Sequence, residues 1–339
     1  MPVTSTAYFI YLKISIDIRA SLRPGAFQSP SLVVLPFKAV GDEGNKVGVG
    51  LADEPTNKLG NNKSLRVISA SSGRAMAEVS TAKIAAESGI SYILRGELLN
   101  ENGNTAIFAE LINSSTEETI WTEKITAVDG DLFAMQTNVA ERVWTSLGIK
   151  PLPIEMQQVQ KSYTQSNLSY KFYLVGRFHM TNESSENLRK AIATLEQSLE
   201  NDPNFALAYI GLADSYALLH LYDIKPPPEA YSRAAEYARK AFAIDDNLAE
   251  AHASLAYVKF YYDRDRAGSE LEFRRAIQLN PSYAQSHHWF ALALAAMGKH
   301  VYAVSKIKTA QRLDPRASSI RSATGVIYYM NGDFDKAIA

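Results

Sequence analysis

The sequence LNPSYAQSHHWFALAL, residues 279–294, decides the fold of the second half of this chain, because its pattern recurs there. A turn containing proline leads into a helix with regularly spaced apolar residues. NDPNFALAYIGLADSY (201–216) and LDPRASSIRSATGVIYY (313–329) share this arrangement. The last two repeat steps, from Asp246 to Pro281 and from there to Pro315, are 35 and 34 residues. Repetition near 34 residues indicates stacked helical hairpins, so we expect function in a surface rather than a catalytic pocket.

Small and large residues occupy equivalent positions in successive copies, which lets paired helices approach and fills the gaps between them. Four copies in register and a truncated fifth resemble tetratricopeptide (TPR) repeats. The matching positions of the first helices are Phe172, Val175, Gly176 and His179; Tyr209, Leu212, Ala213 and Tyr216; His252, Leu255, Ala256 and Lys259; His287, Phe290, Ala291 and Leu294; and Arg321, Thr324, Gly325 and Tyr328. The second copy is about nine residues longer than its neighbours and includes Ile224–Pro228, which predicts a longer loop. That loop either contacts a partner or is a tolerated surface insertion.

Residues 31–150 alternate strand-like and helix-like segments in the order β-α-β-α-β-β-β-α. Apolar runs such as SLVVLPF (31–37) suit buried strands, and Asn102-Gly103 between two strand-like runs predicts a hairpin. A helix is expected over 47–59, where Pro55 should break or kink it. Gly89 is expected to end the next helix. This order predicts a mixed sheet covered by helices.

This first part is similar to the TolB amino-terminal-like domain of bacterial multidomain regulators in the stretches VLPF (34–37), GLADEPTNKL (50–59), LRVISASSG (65–73), YILRGEL (92–98) and ELINSSTEETIWTEK (110–124). Pro55 departs from that family, in which the position is usually aliphatic. A TolB-like domain followed by TPR repeats resembles the non-kinase C-terminal region of bacterial serine/threonine kinases and related multidomain regulators. The predicted fold class is therefore α/β plus all-α, with a mixed-sheet α/β domain followed by a TPR α-solenoid.

The expected domain limits are a poorly specified leader at 1–30, the TolB-like domain at 31–150, a linker at 151–168 and about four and a half TPR repeats at 169–339. The apolar stretch Ala7–Leu12 is shorter than the ~20 residues of a membrane span. The repeat pattern stops at Ala339 within a copy, so we expect a fragment of a longer protein. The compartment stays open, and one option is the extracytoplasmic part of a membrane-anchored bacterial protein.

Composition and motif spacing argue against several function classes. A net charge of −1 provides no basic footprint for nucleic acid, and the absence of cysteine excludes disulfides and thiolate chemistry. Asp53 stands where a dinucleotide-binding motif begun at Gly48 needs glycine, and Arg274 stands where a calcium loop begun at Asp263 needs Glu. His287 and His288 are adjacent rather than at the spacing of a zinc pair. We expect no catalytic residue, no cofactor, no metal and no nucleic acid partner.

In TPR arrays, certain first-helix positions commonly face the concave groove. The resemblance therefore implies a partner-binding groove lined by Ile210, Asp214, Ala253, Tyr257, Phe260, Tyr261, His288 and Leu292. Aromatic side chains are favoured at recognition surfaces, and core packing explains each of them equally well. Asp214, Tyr257 and Leu292 stand where the asparagines that clamp a carboxylate would be sought, so a neutral or apolar helix or extended peptide fits better than an acidic tail.

The expected function is protein–protein interaction within a bacterial signalling or regulatory protein. A partner peptide or helix would lie in the groove, and the first domain would serve in docking or sensing. Two alternatives stay open. One is the sensory region of an enzyme, a serine/threonine kinase or nucleotide cyclase, whose catalytic domain lies outside this chain. The other is an envelope scaffold protein.

Overall fold

A computed structural model describes residues 29–39, 42–101, 104–127, 131–181, 184–222 and 229–338. Nearly all of the predicted leader, the Asn102-Gly103 turn and the insertion at 224–228 lie outside these residues. The fold class is the predicted one, because a mixed sheet with helices is followed by an array of helix pairs. The limits between domains stay a prediction.

The sheet combines parallel and antiparallel strands. Its strands are β1 (Ser31–Val34), β2 (Lys38–Ala39), β3 (Arg66–Val67), β4 (Tyr92–Glu101), β5 (Asn104–Asn113) and β6 (Thr119–Thr126). The order is β3-β1-β4-β5-β6, and β2 pairs with β4 beyond the end of β1. β1 runs parallel to β3 and β4, whereas β4, β5 and β6 form an antiparallel meander. The mixed sheet is therefore confirmed.

Five helices accompany the sheet in the described part of the chain. They are α1 (Asp42–Gly60), α2 (Ala70–Ala75), α3 (Thr81–Ser88), α4 (Leu132–Ser146) and α5 (Pro153–Gln160). Gly89 adopts a φ of 58° at the end of α3, which confirms its predicted role as a helix stop. Helices α2 and α5 were not expected, and α5 occupies much of the predicted linker.

Pro55 was expected to break or kink its helix, and the break is wrong, because α1 continues through that residue. Proline lacks the N–H that would bond the carbonyl four residues earlier, which here belongs to Leu51. Gln136 of α4 donates its side-chain Nε2–H to that Leu51 carbonyl at 3.0 Å, and Gln136 is fully buried. A side chain from another helix thus replaces the lost backbone hydrogen bond.

The rest of the described chain is an array of helix pairs. The pairs are α6 (Asn167–Met180) with α7 (Ser185–Asn201), α8 (Ala206–Tyr222) with α9 (Ala230–Ile244), α10 (Ala249–Tyr261) with α11 (Arg266–Leu279), α12 (Ala284–Ala296) with α13 (His300–Leu313), and α14 (Ser318–Met330) with α15 (Phe334–Ile338). Within each pair the helices pack side by side, and each pair packs on the next. The predicted α-solenoid is therefore present, and the described residues form five helix pairs.

Equivalent positions in different repeats make equivalent contacts. His252 and His287 each place Nε2 against the backbone carbonyl six residues earlier, at 2.8 Å from Asp246 O and 3.1 Å from Pro281 O. Close packing also follows the predicted rule of small against large. A methyl group added at Gly176 would lie 2.7 Å from Leu195 Cγ, so glycine is what lets α6 approach α7.

The turns between repeats also share one geometry. Asp202, Asp245 and Asn280 each end a second helix with extended backbone. Each side chain accepts the backbone N–H of the residue two positions later, at 3.0 to 3.1 Å. These Asx-type bonds turn the chain into the next first helix, which explains why the residue before the proline position is Asp or Asn.

The sheet region and the first helix pairs share one hydrophobic core. Buried residues from Leu32 in β1 to Val258 in α10 form one continuous cluster. Helix α1 lies directly on α6, because a methyl group added at Gly50 would lie 2.6 Å from the backbone carbonyl of Leu174. Lys58 of α1 donates to the Val159 carbonyl and so holds α5. None of the described helices combines the length and the apolar character needed to cross a membrane.

Candidate functional site

The structure places the eight predicted groove residues on the first helices α8, α10 and α12. They differ in burial: Ile210, Ala253 and Phe260 are core residues, Asp214 and His288 are buried polar residues, and Tyr257, Tyr261 and Leu292 are half-buried. Only the last three offer substantial side-chain surface to a partner. The groove itself stays a prediction.

The aromatic residues of α10 form a cluster with a residue that the sequence analysis did not select. The Tyr257 ring centroid lies 4.5 Å from that of Tyr261 and 4.8 Å from that of Trp289 on α12. Tyr262, at the end of α10, is 47% exposed. We call Tyr257, Tyr261 and Trp289 the aromatic cluster. The indole of Trp289 extends it from one repeat to the next.

A cavity of about 720 Å³ lies between the sheet region and the first helices, and we call it the chamber. One wall comes from α1 and α2, and the other from α6, α8, α12, α14 and the turns before α12 and α14. Its ionic lining residues are Asp53, Arg74, Arg177, Asp214, Asp314 and Arg316. Hydroxyl groups from serines, threonines and Tyr283 line much of the remainder. Trp289 also lines the chamber, so the chamber and the aromatic cluster are contiguous.

Hydrogen bonds join the two walls at the end of the chamber farthest along the repeat array. The Ser71 and Ser72 hydroxyls both donate to the Asp314 carboxylate. The backbone N–H of Ser69 donates to the Leu313 carbonyl at 2.7 Å. Arg316 reaches Glu87 of α3 at 3.0 Å. These bonds connect the α2–α3 region to the turn before α14.

Charged residues of α1 and α6 form the opposite end of the chamber. Arg74 Nη1 donates to Asp53 Oδ1 at 2.8 Å, whereas Arg177 Nη2 lies 3.8 Å from Asp53 Oδ2. The Arg177 Nε–H is buried and has no hydrogen-bond partner among the described residues. Tyr173 donates its hydroxyl to the buried carboxylate of Glu54 at 2.9 Å. Arg177 therefore has hydrogen-bonding capacity that this end of the chamber does not use.

Burial shifts the titration of three carboxylates near Arg177, of which only Asp214 lines the chamber. It raises the pKa of Asp214 to about 6, although the Ser254 hydroxyl bonds the carboxylate and Arg177 lies nearby. Burial likewise raises the pKa of Glu250 to about 7 and raises that of Glu54. In each case desolvation outweighs the nearby positive charges, which are Arg177 for all three carboxylates and also Lys58 for Glu54.

The histidines and the acidic loop play structural roles. Burial lowers the pKa of His287 and of His288 to about 4, which keeps both rings neutral. Asp263 pairs with Arg239, and Asp265 accepts the Gly268 N–H at the start of α11. Among the described residues no three His, Asp or Glu side chains converge as a metal site would require.

The sequence analysis found Asp214 but missed Asp53, Arg74 and Arg177. The available signal was a charge inside an otherwise apolar helix stretch, as at Arg177 in YLVGRF (173–178). That signal does not identify which partner surface the charge faces. The chamber depends on contacts between segments more than a hundred residues apart, which local periodicity does not contain.

No family model matches the chain. It is 24% identical over 249 residues to the transcriptional regulator HilA of Salmonella typhimurium, covering 73% of this chain and 44% of that protein. It is also 25% identical over 249 residues to putative adenylate cyclase 3 of Rhizobium meliloti, covering 71% of this chain and 42% of that protein. The chain thus spans less than half the length of these curated relatives.

Solved structures similar to the chain include proteins described as TPR proteins. One is YrrB, whose structure is titled a TPR protein with an unusual peptide-binding site. The match covers 50% of this chain and 81% of the YrrB chain, at 20% identity and a TM-score of 0.32. PilW, a type IV pilus biogenesis factor, matches 51% and 74% at 19% identity and a TM-score of 0.41. Because these TM-scores are low, the assignment of helix pairs in the second half of the chain rests on the helix packing described above and not on these matches.

Proposed function

We propose that this chain is a protein-interaction region of a bacterial multidomain signalling or regulatory protein. A neutral or apolar peptide segment or helix binds along the aromatic cluster, and the TolB-like α/β domain docks beside it. The observation that carries this proposal is the cluster itself. Its two tyrosines are half-buried, and aromatic side chains that keep part of their surface exposed are typical of recognition sites.

The curated relatives support a regulatory setting. One is named a transcriptional regulator and the other a putative adenylate cyclase. Each match covers more than 70% of this chain, so the two matched regions overlap. A region shared by proteins with different outputs is more readily explained by interaction or sensing than by catalysis.

A second candidate function is the sensory region of an enzyme whose catalytic domain lies outside this chain. The match to a putative adenylate cyclase favours a cyclase as that enzyme. The coding sequence flanking this region distinguishes the candidates: cyclase or kinase motifs support the second, and a winged-helix segment supports a transcriptional regulator. A signal sequence or lipid-anchor site would instead support an envelope scaffold.

Peptide selection tests the interaction surface. We expect peptides selected from a random phage-displayed library against the whole chain to bind at least about tenfold more weakly to the Tyr257→Ala plus Tyr261→Ala variant. Tyr302→Ala is the matched control, because that tyrosine is 66% exposed on the second helix α13. Equal binding to the double variant and the wild type, with circular dichroism unchanged, would contradict the proposed surface.

A further inference from the structure

The chamber has features that peptide binding at the aromatic cluster does not use. Side chains from both halves of the chain line it, and its volume of about 720 Å³ lies within the range of small-molecule sites. Three arginines and three aspartates line it, so its ionic groups balance. A balanced lining does not favour a polyanion or a polycation. It suits a small ligand that carries both charges or none.

Two lining residues of opposite charge retain unused capacity. Arg177 approaches its nearest carboxylate oxygen, Asp53 Oδ2, only to 3.8 Å, which is too long for a hydrogen bond. Asp53 is already bonded to Arg74, and the Arg177 Nε–H has no partner among the described residues. A guanidinium with free donors on its planar edge is suited to a carboxylate.

Asp214 supplies the complementary group. It is 6% exposed, it lines the chamber, and its Oδ1 accepts the Ser254 hydroxyl. The described ion pairs provide no cation within 4.0 Å of Asp214. A buried carboxylate is costly without a compensating cation, so an ammonium group placed beside it would be stabilising.

We propose that the chamber binds a free α-amino acid, with the ligand's carboxylate at Arg177 and its ammonium group at Asp214. Leu218, Trp289 and Ile320 are the apolar lining residues available to the ligand's side chain. Because both halves of the chain contribute to the chamber, the bound amino acid stabilises their docking by mass action. This site shares Trp289 with the aromatic cluster, so variants that touch only one of the two sites distinguish the proposals. Tyr257→Ala plus Tyr261→Ala leaves Arg177 and Asp214 in place, and Arg177→Met leaves the tyrosines in place.

Isothermal titration calorimetry on the full chain, with each of the twenty proteinogenic amino acids in turn, tests this site. At least one should bind with a Kd below about 1 mM. The α-hydroxy acid analogue of the best ligand lacks the ammonium group, and the amide lacks the carboxylate. Each analogue should bind at least about tenfold more weakly than the amino acid itself. These analogue measurements use the unaltered protein, so they do not depend on the folding of any variant.

Variants then assign the contacts. Arg177→Met and Asp214→Asn should each weaken the amino acid by at least about tenfold, and Ser322→Tyr, which adds bulk at an exposed lining position, should block it. Arg142→Met is the control, because Arg142 is half-exposed and lies outside the chamber lining; it should bind like the wild type.

The proposal is overturned if no amino acid reaches a Kd of about 1 mM. Equal binding of the analogues, or an unchanged Kd for Asp214→Asn, also overturns it.

Discussion

Gln136 replaces a backbone hydrogen bond that Pro55 removes from α1. It donates to the Leu51 carbonyl that Pro55 leaves without a backbone partner, and its Oε1 accepts the Tyr170 hydroxyl. Gln136 lies on α4, Pro55 on α1 and Tyr170 on α6, and all three side chains are buried. The proline inside α1 is thus compensated by one side chain from a different helix.

Replacing Gln136 by Leu should destabilise the chain by about 1 to 3 kcal/mol, because it leaves a buried carbonyl without a donor. Part of this cost should disappear in a Pro55→Ala background, where the restored N–H bonds Leu51 instead. We expect a coupling of about 1 kcal/mol, measured by urea unfolding of the wild type, both single variants and the double variant. The Tyr170 hydroxyl loses its partner in both backgrounds and so cancels. Equal costs in the two backgrounds would contradict this role.

Asp214 makes stability depend on pH in a direction opposite to that of a salt-bridged carboxylate. Its pKa is about 6 when folded, against an ordinary value of 3.8, so the folded state holds the proton more tightly. The stabilising contribution is complete below pH about 4 and is lost as the pH rises through about 6. The full loss is on the order of 3 kcal/mol, from about 1.4 kcal/mol per pKa unit.

Asp214→Asn removes this titration and keeps a hydrogen-bonding partner for Ser254. At neutral pH and without ligand, the variant should be more stable than the wild type by about 1 to 3 kcal/mol, and the difference should vanish near pH 4. Chemical unfolding at a series of pH values gives the difference directly. Glu250 titrates in both proteins, and the Asp214 charge raises its pKa, so loss of that charge adds to the difference in the same direction. A difference that is constant with pH would show that Asp214 does not carry the shift.

At the scale of elements, the sequence pattern predicted the features that depend on interactions between residues close together in the chain. The helix pairs, the β4–β5–β6 meander and the stop at Gly89 follow from periodicity and turn chemistry, and the structure confirms them. The Asx-type turns explain why one register is kept from copy to copy. These features depend on residues that lie close together in the sequence.

The elements that the sequence analysis missed depend on distant partners. Helix α1 continues through Pro55 because of Gln136, which lies 85 positions from the Leu51 carbonyl it bonds. Helix α2 is held partly through the bonds from Ser71 and Ser72 to Asp314, more than 240 positions away. Local periodicity carries no signal for such pairs. The chamber could not be predicted for the same reason, although Asp214 was selected as a groove residue.

At the scale of the whole molecule, the sheet region and the repeat array are docked against each other. A shared core joins them near α1 and α6, and polar bonds join them again at the turn before α14. The chamber lies between these two zones of contact. Both the proposed amino-acid site and the placement of the peptide surface depend on this docking.

Crosslinking at the far contact zone tests the docking most directly, because the chain has no cysteine of its own. The Ser71→Cys plus Asp314→Cys variant replaces two side chains that are hydrogen-bonded to each other. Mild oxidation should join the two cysteines in a disulfide within one chain, because these side chains are in direct contact, and should shift the mobility of the protein on a non-reducing denaturing gel. The control pair Ser71→Cys plus Ser232→Cys, with the second cysteine on α9, should remain unlinked. Equal crosslinking of both pairs, or none in either, would contradict the docked arrangement.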